Sequence, residues 1–187
     1  NPGHFSAEIN IDAIDTADVD YAGMLDSASL TGAIAGVLAS DLAGSPASMD
    51  LLERISSGLT LAGARIVPAA FENEDERMAR FTDLLAAGVR HDMMPYVTAL
   101  HPEIDSAEAL VDYNDADPAR RAPFNQETFK ALVGMSGDVS REQFDSLAVE
   151  LTETATNLLE ETFAATGADV LVSINNIHSM VYATAGY

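Results

Sequence analysis

The sequence predicts an α/β fold, a mostly parallel or mixed sheet flanked by helices. Three observations carry that expectation. Two short apolar runs bracket a well-signalled helix in the first third, and a long capped helix leads into a third apolar run near the end. The composition is also that of a globular chain: 48% of the 187 residues are hydrophobic and 21% charged, enough for one domain with a core or a large piece of a bigger one.

Taken in order, residues 1–31 are polar and Asp-rich, with Asp12, Asp15, Asp18 and Asp20 spaced through small residues. They read as a connector or surface loop. Ala33-Ile34-Ala35-Gly36-Val37-Leu38 follows Leu30-Thr31-Gly32 and has the length of a buried strand. Ser45-Pro46 opens a helix, Ser at the cap and Pro at the first helical position. Leu51, Leu52, Ile55, Leu59 and Ala62 continue it at helical spacing, and Gly63 supplies the stop. Ala64-Arg65-Ile66-Val67 is a second strand, ended by Pro68. Strand, helix, strand at this spacing outlines a crossover, which favours parallel pairing.

The middle reads as helical. Met78, Phe81, Leu84 and Leu85 form one apolar stripe, Met93, Tyr96, Val97 and Leu100 another, with Gly88 interrupting between them. Asp105 or Ser106 caps a short helix over Ala107–Val111, and Asn125-Gln126-Glu127 opens another carrying Phe129, Leu132 and Val133. Ser140-Arg141-Glu142-Gln143 is a capping box that starts the longest helix, expected to reach about Ala165 with Phe144, Leu147, Ala148, Leu151, Ala155, Leu158 and Phe163 on its inner face. Gly167 ends it, and Asp169–Ile174 is the third strand. The chain starts at Asn1-Pro2-Gly3-His4 without Met and stops at Ala185-Gly186-Tyr187. No closing element is expected there, and the domain is expected to be incomplete at both ends.

Composition narrows the function classes. No cysteine is present, which excludes disulfides, thiol nucleophiles and thiolate metal sites and fits a reducing, cytoplasmic compartment. No apolar run approaches the ~18 residues needed to span a bilayer. Thirty acids against nine bases give a net charge of −21, and Lys130 is the sole lysine. A field of that sign repels nucleic acid and anionic membranes, so neither is an expected partner. Lysine-poor, Asp-rich composition suits a protein working in high salt, where screening removes self-repulsion.

Candidate site residues are few. In parallel-sheet folds ligands gather at the carboxyl ends of strands, and Asn175-Asn176-Ile177-His178 follows the third strand. One reading has Asn175, Asn176 and His178 lining a substrate pocket; the other has the Asn pair building a turn and His178 packing inside. His91 and Asp92 are adjacent and diverge on a helix, and His101 before Pro102 reads as a loop residue. Asp112, Asn114, Asp115 and Asp117 have the spacing of a calcium loop, but Ala116 takes a ligand place and the glycine is missing. A solvated acidic turn is expected there, with no metal site and no cofactor.

The residues also resemble a known family. Glu161 through Tyr187 (ETFAATGADVLVSINNIHSMVYATAGY) is similar to the late segment of the amidase signature family, where a long helix leads into a buried strand. Asp20-Tyr21 with Leu25-Asp26, Leu30-Thr31-Gly32-Ala33 with Gly36-Val37, and Leu61-Ala62-Gly63-Ala64 with Ile66-Val67 fall in the family's order. So do His91-Asp92 with Tyr96, and Tyr113-Asn114 followed by Phe124-Asn125-Gln126-Glu127. Gly88 and Ile34-Ala35 depart from its usual residues. The resemblance implies that residues 32–187 are the C-terminal portion of an amidase-like domain. It implies hydrolysis of a carbon–nitrogen amide bond by a serine nucleophile, with a second serine and a lysine relaying the proton and backbone N–H groups holding the oxyanion. It also implies a small-molecule or peptide amide substrate and, as partner, the remaining half of the enzyme; a homo-oligomer stays open. The family carries its chemistry on a Gly/Ser-rich stretch that this sequence does not contain. Ser56-Ser57-Gly58 lacks the flanking glycines and falls inside a helix, and Lys130 has no serine pair near it, so no catalytic residue is expected here. The alternative is a stand-alone, non-catalytic binding or structural module of the same fold.

Overall fold

In the computed structural model, which describes residues 20, 23, 29–39, 45–135, 137 and 139–186, β1 (Ile34–Leu38) is the centre of the sheet. It is followed by α1 (Pro46–Leu61), β2 (Arg65–Ala69), α2 (Glu74–Arg77), α3 (Phe81–Gly88), a π turn at Val89–Met93 and α4 (Met94–Leu100). Then come α5 (Ala107–Asp115), α6 (Pro118–Arg121), α7 (Glu127–Met135), α8 (Arg141–Thr166), β3 (Val170–Val172) and α9 (Ser179–Ala185). Most of the 1–31 stretch expected to be a connector, and Tyr187, lie outside the described residues.

The sheet has the order β2-β1-β3 and both pairings are parallel, Ile34 opposite Arg65 and Ala35 opposite Val170. The expected α/β sheet flanked by helices is what forms. Its two faces follow from strand alternation. Val37 and Val172 project with Leu52 of α1 and Ile174 on one side. Leu38, Ala69 and Leu171 project on the other, into the main core with Leu147, Leu151, Ala155, Leu158 and Leu159 of α8. Gly36 faces α8 as well, and a Cβ there would sit 2.8 Å from Leu171 Cδ2 and 3.2 Å from the Ala69 Cβ. The residue is glycine because a leucine from the neighbouring strand lies across it.

The start and stop signals act as their chemistry dictates. Ser140 Oγ accepts from Gln143 N–H at 3.2 Å and Gln143 Oε1 accepts from Ser140 N–H at 2.8 Å, closing both arms of the capping box. Gly167 ends α8 in the left-handed region at φ 62°. Ser106, not Asp105, caps α5 by accepting from Ala109 N–H. The apolar middle forms a second cluster of Val89, Met94, Ile104, Ala107 and Val133. Gly88 ends α3, and the chain then widens into the π turn before resuming as α4.

Several boundaries differ from the sequence expectation. Pro68 lies inside β2 instead of ending it. Helix α5 runs on to Asp115, so Asp112, Asn114 and Asp115 sit on a helix, with only Asp117 beyond it. The third strand is three residues long, and the chain bends at Ile174. The stretch from Ser179 to Ala185, where no closing element was expected, is a helix whose Val181 is fully buried against α8.

Candidate functional site

The carboxyl ends of the strands open on one side, and the segments leaving β2 and β3 meet there. After Ala69 the chain passes Phe71 and turns at Asn73, which adopts φ 56°, a left-handed conformation asparagine tolerates better than most residues. That turn places Glu74, the first residue of α2, against the loop after β3. Glu74 Oε2 lies 2.8 Å from His178 Nδ1, with side-chain exposures of 10% and 2%. Phe71 meets the His178 ring edge-on at 5.4 Å and the Tyr182 ring at 5.9 Å. Thr162 of α8 closes the base: its hydroxyl lies 2.7 Å from the Leu158 carbonyl and 3.3 Å from that of Ala70.

Asn175 takes φ 56° to reverse the chain, and the Asn176 carbonyl accepts from Ser179 N–H at 3.1 Å. Both Asn side chains are exposed, whereas His178 is buried as the residue preceding α9. Structure thus brings the three expected residues into one loop but divides them: two face solvent at the strand end, one is fixed inside. Burial pushes the Tyr182 hydroxyl above its ordinary pKa; the Ser173 side chain opposes that shift and the Glu74 carboxylate adds to it.

A carboxylate holding an imidazole is the orienting half of a general-base system. The serines and lysine weighed in the sequence lie elsewhere in the fold. Ser56-Ser57-Gly58 lies in the interior of α1, and Lys130 sits on α7, 3.1 Å from Asp115 and 3.7 Å from Glu127. That pairing raises the Lys130 pKa through its hydrogen bond to Asp115 and lowers that of Asp115 in return. His91 Nε2 lies 2.7 Å from the Val139 carbonyl and its ring stacks on Phe144, while Asp92 pairs with Arg141, so the two neighbours, expected to diverge, both reach the start of α8. His101 follows α4 and pairs with Glu103. Among the described residues no three His, Asp or Glu side chains are placed to hold a metal ion.

Clefts on the described surface lie away from this loop. One, of about 570 Å³, lies between α3 and the start of α8, with Ala86, Ala87 and Leu147 as floor and Arg80, Glu142 and Glu150 at its rim. Another, about 630 Å³ and more open, runs along α1 past Met49, Leu52 and Ser56. Asn175, Asn176 and His178 line neither. Glu74 is the residue the sequence reading missed: it lies 104 positions from His178 and follows no local pattern. No described helix is long and apolar enough to cross a membrane.

No family model matches the chain, and no curated protein matches it. Solved structures do. An amidase family protein from Bacillus anthracis str. Ames superposes with a TM-score of 0.62 at 23% identity, over 84% of this chain and 31% of that one. Native peptide amidase from Stenotrophomonas maltophilia gives 0.58 at 19% identity, over 76% and 29%. Peptide amidase in complex with the competitive inhibitor chymostatin gives 0.57 at 21%, again over 76% and 29%. The chain therefore spans less than a third of the length of each. At such identities the likeness establishes architecture, and the architecture of this chain is amidase-like.

Proposed function

We propose that these residues are part of an amidase that hydrolyses a carbon–nitrogen amide bond by serine-nucleophile chemistry, with the nucleophile outside this chain. One observation carries the reading: the fold matches amidases over about three-tenths of their length, while the sequence holds no Gly/Ser-rich stretch able to form a nucleophile and its oxyanion turn. The chain supplies sheet, covering helices and one wall of the pocket. Asn175 and Asn176, exposed at the end of β3, are the side chains of that wall, placed to hydrogen-bond a small-molecule or peptide amide. His178 acts behind them: its bond to Glu74 fixes the loop that carries both.

The test compares ammonia or amine release by the 187-residue chain and by the complete enzyme on simple amides. No turnover is expected from the chain alone, and turnover is expected from the complete enzyme. In the latter, Asn175→Ala and Asn176→Ala are expected to raise KM more than they lower kcat. Hydrolysis by the chain alone would overturn the placement of the nucleophile. A soluble monomer with a cooperative melt, inactive in every context, would instead favour a stand-alone binding module of the same fold.

A further inference from the structure

Helix α8 is 26 residues long, about 39 Å at 1.5 Å per residue, whereas a strand of five residues spans about 17 Å. The Thr162 hydroxyl lies 3.3 Å from the Ala70 carbonyl, just past the end of β2. The part of α8 before Thr162 therefore runs on beyond the carboxyl ends of the strands, and α3 packs against that overhang. Where they meet, α3 offers Ala86 and Ala87, each 2% exposed, and α8 offers Leu147, 4% exposed. Two alanine side chains are too short to fill the space between the helices, and the cleft of about 570 Å³ is what remains. That volume is in the range of small-molecule pockets.

The cleft is apolar at its floor and acidic at its rim. Asp83, Glu142 and Glu150 share the rim with one base, Arg80. That base is committed at one end, 3.3 Å from Glu150 and 3.7 Å from Asp83. Glu142 sits two turns earlier on the same face of α8, about 12 Å from Glu150. A guanidinium held at Glu150 does not reach it, and among the described residues Glu142 has no other cation. Carboxylates so far apart cannot converge on one metal ion.

We propose that this cleft binds an organic cation, with a primary ammonium at Glu142 and a compact apolar body over Ala86, Ala87 and Leu147. The Arg80 guanidinium, held between Asp83 and Glu150, already shows the rim accepting such a group. An anionic ligand is repelled by the rim and by the net charge of −21. A neutral ligand covers the floor and leaves Glu142 unpaired, so it binds more weakly. The site is separate from the wall formed by Asn175 and Asn176, neither of which lines it, and it stands independently of the amidase reading.

The experiment titrates the complete enzyme, methyl-labelled at alanine and leucine, with phenethylammonium chloride at low salt. Phenethyl alcohol and phenylacetate serve as the neutral and anionic comparisons. Saturable ring-current shifts are expected at the Ala86, Ala87 and Leu147 methyls with the ammonium, weaker binding with the alcohol, and none with phenylacetate. Glu142→Gln is expected to weaken the ammonium about two- to fivefold and to leave the alcohol unchanged. Ala87→Val, which fills the floor, is expected to abolish binding of both. Glu142→Gln, on the solvated surface of α8, decides the matter even where Ala87→Val does not fold. The proposal is overturned by the absence of saturable shifts at these methyls, which would mean that the cleft is covered or too shallow. Equal affinity for ammonium and alcohol, or a Glu142→Gln variant that binds both as before, would overturn it too. Binding is read without turnover, so its failure and the failure of the amidase reading are distinct results.

Discussion

His178 is held from three directions: Glu74 of α2 by a hydrogen bond, Phe71 of the β2 exit by its ring, and α9 by the chain itself. Removing the imidazole leaves a cavity beside a carboxylate that has lost one of its contacts. His178→Ala is expected to cost about 3 kcal/mol, read as a lower urea midpoint at unchanged slope. Tyr182 makes a pH argument available. Its folded pKa lies above the ordinary tyrosine value because burial disfavours the phenolate. The unfolded chain therefore loses that proton first, and stability falls as pH rises from about 10. Tyr182→Phe is expected to flatten this alkaline limb in melts taken between about pH 9 and 11. Part of this was legible in advance. Asn175 could be read as a turn residue because asparagine tolerates positive φ, and His178 stood out because it follows a buried strand. Glu74 could not be read, because pairing across 104 residues is decided by how the sheet folds, not by any local pattern.

The best-read elements are those whose ends are written in hydrogen-bonding chemistry. Helix α8 has a side-chain cap in both directions at Ser140 and Gln143 and a left-handed glycine at its far end. Ser140→Ala is expected to cost about 1 kcal/mol, measured by chemical denaturation. The inner stripe was expected at Ala148 and Phe163, but Leu159 and Thr162 are the more buried, since the register of a helix against a sheet depends on partners the sequence does not name. Pro68 reads in the sequence as a terminator because proline removes a donor. The donor it removes faces outward, so β2 continues through it. Helix α9 escaped notice because Ser179–Ala185 has two β-branched residues and no side-chain cap, and packing of Val181 holds it in place. Within the sheet Gly36 is the tightest position. Gly36→Val is expected to cost about 1–3 kcal/mol, because the new side chain must displace Leu171 and press on Ala69.

For the whole molecule the dominant quantity is the net charge of −21. Several arginines are committed to ion pairs that tie α8 to the rest: Arg77 with Glu161, Arg80 with Glu150 and Arg141 with Asp92. These are surface pairs and contribute little individually, while the unbalanced acids repel throughout. Shortening the Debye length from about 10 Å at 0.1 M to about 3 Å at 1 M removes more repulsion than attraction. The melting temperature is expected to rise with potassium chloride over that range; a fall would mean that the ion pairs outweigh the repulsion. At this scale the parallel sheet was legible, because the spacing of strand, helix and strand dictates a crossover. The order β2-β1-β3 was not, since β3 joins β1 from far along the chain.

That distance has a consequence in time. Ile34 meets Arg65 across 31 residues but bonds to Asp169 across 135. Closing the longer loop costs about 1.3 kcal/mol more, from (3/2)RT ln(135/31). The β1-α1-β2 unit is thus free to assemble first. On the ribosome the 100 residues between Ala69 and Val170 take roughly 5–20 s to emerge. Throughout that interval the flank of β1 that will receive β3 stands unpaired, and the nascent chain must be kept from mispairing there until β3 arrives.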